Sequence, residues 1–194
     1  MRLDRKAEFE RLRGYIIQLQ DLAKKDSAPV FWRDDSNAVR NGTMTFVSTG
    51  KEILGITAGH VADECLEAYR SNPDRSCQVG GAAFDADARL IARHNSLDLA
   101  TFRLSEPFVA AALGNCASMP SWPPRELSVG EIVLFGGWPA SHRVEEEQSF
   151  DFYFVSFIGK LGGASSRQSG LQLRIRDSML TGPTGLPEHA DLGG

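Results

Sequence analysis

The chain is poor in cysteine: Cys65, Cys77 and Cys116 are the whole set, and none is spaced from another as in a zinc or redox site. An odd set allows at most one disulfide, so reduced thiols and a cytoplasmic setting are expected. No run approaches the ~20 apolar residues of a membrane-spanning helix. The opening Met1-Arg2-Leu3-Asp4-Arg5-Lys6 is too charged for the apolar core of a secretory signal. There is no G-x-G-x-x-G or Walker-type glycine loop, which removes the common phosphate cradles. The formal net charge of −4 comes without a basic stripe carrying interleaved aromatics, so neither nucleic acid nor an anionic membrane is an expected partner. His94, His142 and His189 lie in polar, turn-rich text without partners at metal-ligand spacing. No metal and no cofactor are expected.

What is present is the composition of a folded protein, 42% hydrophobic and 24% charged over 194 residues. Phe9, Leu12, Ile16, Leu19 and Ala23 recur at steps of three and four, which predicts an amphipathic helix over 4–25. Its stripe suits packing on the protein's own body or on a second copy. From residue 30 the text changes to short runs of Val, Ile, Phe and Thr cut by Gly, Pro and Asp, the mark of strands and turns. Strands are expected at 43–48, 52–57, 77–84, 87–93, 98–103, 131–135, 150–159 and 171–176. Four prolines, Pro107, Pro120, Pro123 and Pro124, make 105–128 a long connection, because proline cannot donate within a central ladder. The expected organisation is a helix over 1–28, a first β unit over 29–110, a linker over 111–128 and a second β unit over 129–194.

Two segments carry chemistry. Gly42-Thr43-Met44-Thr45-Phe46-Val47 is followed by Ile53-Leu54-Gly55-Ile56-Thr57-Ala58-Gly59-His60, and Asp98-Leu99-Ala100-Thr101-Phe102-Arg103-Leu104 comes later. Together they resemble the first-barrel signature of trypsin-like (chymotrypsin-fold) serine peptidases, with Met44-Thr45 in place of the usual Gly-Phe. The resemblance implies an all-β fold of two six-stranded-type antiparallel barrels. It also implies His60 as general base and Asp98 as the buried carboxylate that orients it. The small residues Ala58 and Gly59 suit a sharp backbone turn before the histidine. Val61 stands where many secreted members carry a cysteine. Residues 61–69 then suit a short helix, with Asp63 and Glu64 near its first turn. His94, in the polar turn Arg93-His94-Asn95-Ser96, suits a solvated loop. Gly130-Glu131-Ile132-Val133-Leu134-Phe135-Gly136-Gly137-Trp138-Pro139 is similar to the family's opening of the second barrel.

The nucleophile is the missing element, since no G-x-S-G-G string occurs. Ser165, Ser166 and Ser169 lack the glycine spacing, Ser178 lacks a glycine-rich turn after it, and Cys65 and Cys116 are wrongly placed. The resemblance implies a serine just beyond Gly194, with Gly193 or Gly194 donating to the oxyanion and the second barrel incomplete. The function expected is therefore a serine endopeptidase acting on peptides or proteins. The alternative is an inactive peptidase-like module that binds a partner, or itself, through an open sheet edge or the N-terminal helix.

Overall fold

The computed structural model describes residues 14, 17–72, 77–114, 120, 123, 125–146, 149–164 and 171–174. Residues 17–24 form a helix, α1, that turns at 25–26 into the first strand. Leu19 and Ala23 are its less exposed positions, as the stripe requires, whereas Ile17 and Leu22 face solvent. Phe9, Leu12 and Ile16 lie outside the described residues.

The architecture is mostly β, with a curled antiparallel sheet and few helices. β1 (Ser27–Arg33), β2 (Val39–Ser48), β3 (Ile53–Ala58), β4 (Cys77–Val79), β5 (Ala82–Phe84), β6 (Leu90–His94) and β7 (Leu99–Leu104) form a seven-stranded sheet ordered β5-β4-β1-β2-β3-β7-β6. This sheet holds seven of the described strands, with β5 and β6 as its edges. β8 (Ile132–Gly137) pairs with β11 (Val155–Ala164), which pairs with β12 (Leu171–Arg174), while β9 (Arg143–Glu145) and β10 (Phe150–Phe152) form a separate ribbon.

Strand alternation builds the core. Along β3, Ile53, Gly55 and Thr57 are buried and their neighbours less so; along β7, Ala100, Phe102 and Leu104 point inward. These residues meet Met44, Phe46, Val79 and Phe84 on the concave face. Helix α2 (Gly59–Ser71) lays Val61, Ala62, Cys65 and Leu66 on the same core. The expectation of reduced thiols is corrected at this point: Cys65 and Cys77 are bonded through their sulphurs. Helix packing brings Cys65 over the start of β4, with the two Cα atoms 6.6 Å apart, a proximity invisible in linear spacing.

Other departures are local. The expected strand 77–84 is a hairpin turning at Gly80-Gly81, where Gly80 has φ +55° and carries no Cβ that would strike the Ala112 carbonyl. The expected strand 87–93 begins as a short helix, α3 (Ala86–Arg89), because the Asp85 side chain accepts from the Ala88 amide. The connection after β7 contains helix α4 (Glu106–Leu113), with Pro107 in its first turn, where a missing N–H costs nothing. No helix among the described residues is long and apolar enough to cross a membrane.

Candidate functional site

Strand register explains how residues 38 positions apart meet. β3 and β7 pair until Ala58 faces Leu99, so the next residues outward, Gly59 and Asp98, stand opposite each other at the sheet's end. The Gly59 amide donates to the Asp98 carbonyl at 2.8 Å. Helix α2 starts at this corner, and Ala58 offers no side-chain cap for its first amides. Asp98 supplies one instead: its Oδ1 accepts from the His60 amide at 2.9 Å. Its Oδ2 lies 2.6 Å from His60 Nδ1. The carboxylate can only accept, so Nδ1 carries the hydrogen and the lone pair of the ring falls on Nε2. Asp98 reaches this pose with φ 48° and ψ 50°, a left-handed conformation unusual outside glycine. Such an outlier is characteristic of a site that over-determines its geometry.

The pair sits in the open. His60 and Asp98 side chains are 42% and 41% exposed, so the expectation of a buried carboxylate is not met among these residues. The Asp98 carboxyl is nevertheless held below its ordinary range, first by the hydrogen bond from the His60 ring and lastly by the charge of Arg93.

His60 opens onto a cleft of about 520 Å³ between the two sheets. Asn41 and Thr43 of β2 form one wall; Phe135, Trp138 and Ser141, at and after the end of β8, form the other. Two side chains latch these walls. The Trp138 amide donates to Thr43 Oγ1 at 2.8 Å, and Asn41 Nδ2 donates to the Trp138 carbonyl at 2.7 Å. Arg143 Nη1 donates to Asn41 Oδ1, completing both functions of the amide. The Thr43 carbonyl in turn accepts from the buried Thr57 hydroxyl, which ties the latch to the strand that leads into His60. Gly137 is needed for this approach, because a Cβ there would lie 2.6 Å from Thr43 Oγ1. Thr43→Val would leave the Trp138 amide without its acceptor, a loss of about 1–3 kcal/mol. Urea unfolding should register that loss, while Thr45→Val, on the neighbouring outward-facing position, should change little.

The sequence motifs did not foretell all of this. His94 is exposed as expected, but its Nδ1 accepts from the Leu97 amide and so caps the 3-10 turn Asn95–Leu97 that delivers Asp98. Gly59 serves less for a sharp turn than for space, since the Arg93 guanidinium lies across it and would have to shift to admit a Cβ. Asp63 is not a first-turn dipole partner of α2 but an ion-pair partner of Arg93. The roles of Arg93, Asn41 and Trp138 had no signal beyond residue type. Gly193 and Gly194, the expected oxyanion donors, lie outside the described residues, as do Ser165, Ser166, Ser169, Ser178 and Cys116. No group of three or more metal-ligating side chains occurs among the described residues.

Two acids lowered on folding set the larger share of the fold's acid dependence, opposed by Asp26, whose carboxyl burial pushes up. Asp98 is lowered as described, and Asp34 is lowered to about 2, chiefly by hydrogen bonds from Ser36 and Arg40. Groups depressed on folding contribute fully above their unfolded value of about 4 and lose that contribution as pH falls through the folded value. Urea midpoints should therefore fall between about pH 5 and pH 2, and Asp34→Asn should flatten that decline. A midpoint rising on acidification would contradict the assignment.

No family model matches this chain, and no curated protein matches it.

Proposed function

We propose that this chain is the histidine- and aspartate-bearing part of a trypsin-like serine endopeptidase, built on a chymotrypsin-like pair of β-barrels. The observation that carries the proposal is the 2.6 Å contact between His60 Nδ1 and Asp98 Oδ2 at the mouth of a cleft between two sheets. In this reading His60 Nε2 takes the proton of a serine hydroxyl as that oxygen attacks a peptide carbonyl. The imidazolium then returns the proton to the departing amine, and water repeats the sequence on the acyl-enzyme. Asp98 stays ionised, fixing the tautomer and stabilising the transient imidazolium. The reading places the serine in sequence following Gly194 and makes Gly193 or Gly194 an oxyanion donor. The test is labelling of the natural polypeptide with a fluorophosphonate, followed by identification of the modified peptide. A single serine in a glycine-rich turn is the expected result. A folded natural protein that takes up no label overturns the peptidase reading.

A second reading has its own observation. Residues 1–194 contain no G-x-S-G string, and the Asp98 carboxylate is 41% exposed. Both suit a peptidase-like module without catalysis, bound to a partner protein or a second copy through an open sheet edge. Absence of label together with a stable complex of defined mass would favour it.

A further inference from the structure

The His60–Asp98 pair has a third member that the resemblance does not supply. Arg93 leaves β6, crosses the face of Gly59 and uses every nitrogen of its guanidinium. Nε and Nη2 bind both oxygens of Asp63, at 2.8–3.2 Å. Nη1 donates to the His94 carbonyl at 3.0 Å, and Nη2 also reaches Asp98 Oδ1 at 3.3 Å. Asp63 sits one helical turn after His60 on α2, so the two ends of the guanidinium are anchored on the elements that carry the base and its carboxylate. The side chain is 21% exposed, more sheltered than either acid it bridges. A rigid fork held this way loses little further freedom in binding Asp98, which distinguishes it from an exposed lysine pair.

We infer that Arg93 is a positioning residue for the His60–Asp98 pair, a fixed cation set by Asp63 against the outer oxygen of Asp98. The inference rests on the catalytic reading of that pair. Asp98 is open to water, so its carboxylate could rotate away from the imidazole; Arg93 and the His60 amide together hold Oδ1 and leave Oδ2 for Nδ1. His60 is the sole ionisable residue among those described as lining the cleft.

The experiment follows the His60 Nδ1–H resonance by NMR at one pH in the chain of residues 1–194, alone and as Arg93→Gln, Arg93→Lys and Asp98→Asn. In Arg93→Gln that resonance should leave its low-field position and broaden, as Oδ1 comes free and the carboxylate turns. Arg93→Lys, which keeps the charge without the fork, should show the same change to a smaller degree. Asp98→Asn should abolish the low-field signal. A purely structural arginine would move stability and leave the resonance in place. Should Arg93→Gln fail to fold, Asp63→Asn, which frees the guanidinium from its anchor, must broaden the same resonance. An unmoved resonance in Arg93→Gln beside a lost one in Asp98→Asn overturns the inference and spares the catalytic pair. No change in Asp98→Asn removes both.

Discussion

On the proposed peptidase reading, replacing His60 with alanine is expected to lower peptide hydrolysis by about 10⁴–10⁶-fold, the range found when a triad base is removed. The magnitude follows from what the ring alone can do. A serine hydroxyl is a poor nucleophile at neutral pH, and the imidazole Nε2 both accepts its proton and delivers it to the leaving amine. Neither Asp98 nor any described cleft residue can replace that shuttle. The variant is also clean. The His60 side chain is 42% exposed, and the bond that secures the helix start runs from its backbone amide to Asp98 Oδ1. That backbone bond survives truncation to alanine, so thermal unfolding should change little while turnover and fluorophosphonate labelling collapse together. Unchanged turnover in a folded His60→Ala protein would remove His60 from the mechanism. Asp98→Ala would be less informative, because it deletes the orienting carboxylate and the cap of α2 at once.

The largest effect on stability is expected from Phe102→Ala, at about 3–5 kcal/mol, the usual range for emptying a fully buried aromatic site. Phe102 is 1% exposed, faces Gly55 across the β3–β7 ladder and meets the Phe84 ring edge-on at 5.1 Å between centroids. The neighbouring strands are hydrogen-bonded on both sides of β7, so the cavity cannot close by a simple backbone shift. Against a total of ~5–15 kcal/mol for a native protein, such a loss is a large fraction. With a urea slope of roughly 2 kcal/mol/M, the midpoint should fall by about 2 M. Leu99→Ala is the matched comparison: it lies on the same strand but is 41% exposed, and its cost should stay within about 0.5 kcal/mol. Equal losses in the two variants would refute the inward placement of Phe102. Because β7 begins one residue after Asp98, Phe102→Ala should also loosen the carboxylate, visible as a broadened His60 ring resonance.

The legible part of the site was its backbone. Thr57-Ala58-Gly59-His60 has the pattern of a strand running into a helix, and β3 passes directly into α2 there. Asp98-Leu99-Ala100 has the pattern of the head of an apolar strand, and β7 begins at Leu99. Both readings used local patterns, alternation in the strands and small residues at the corner, which depend on neighbours in sequence. Errors came where side chains overrode pattern. Asp85 turned an expected strand into a helical turn by capping it, and Gly80-Gly81 split another into a hairpin. The first strand, β1, has no counterpart among the expected strands, since Ser27 to Pro29 carry weak strand preference and are held by pairing with β2.

By itself the sequence determined the alternating strands of the curled sheet, the hairpin that leads to His60, and the order in which histidine and aspartate appear. These follow from periodicity and from steric limits acting within a few residues. Only the tertiary structure decided the rest. It brought Asp98 to cap α2, laid Arg93 across Gly59 onto Asp63, joined Cys65 to Cys77, latched Trp138 to Thr43, and left the His60–Asp98 pair open to water. Each of these depends on where the sheet's register and curl bring side chains from distant strands. That is a property of packing over the whole molecule, and no local pattern encodes it.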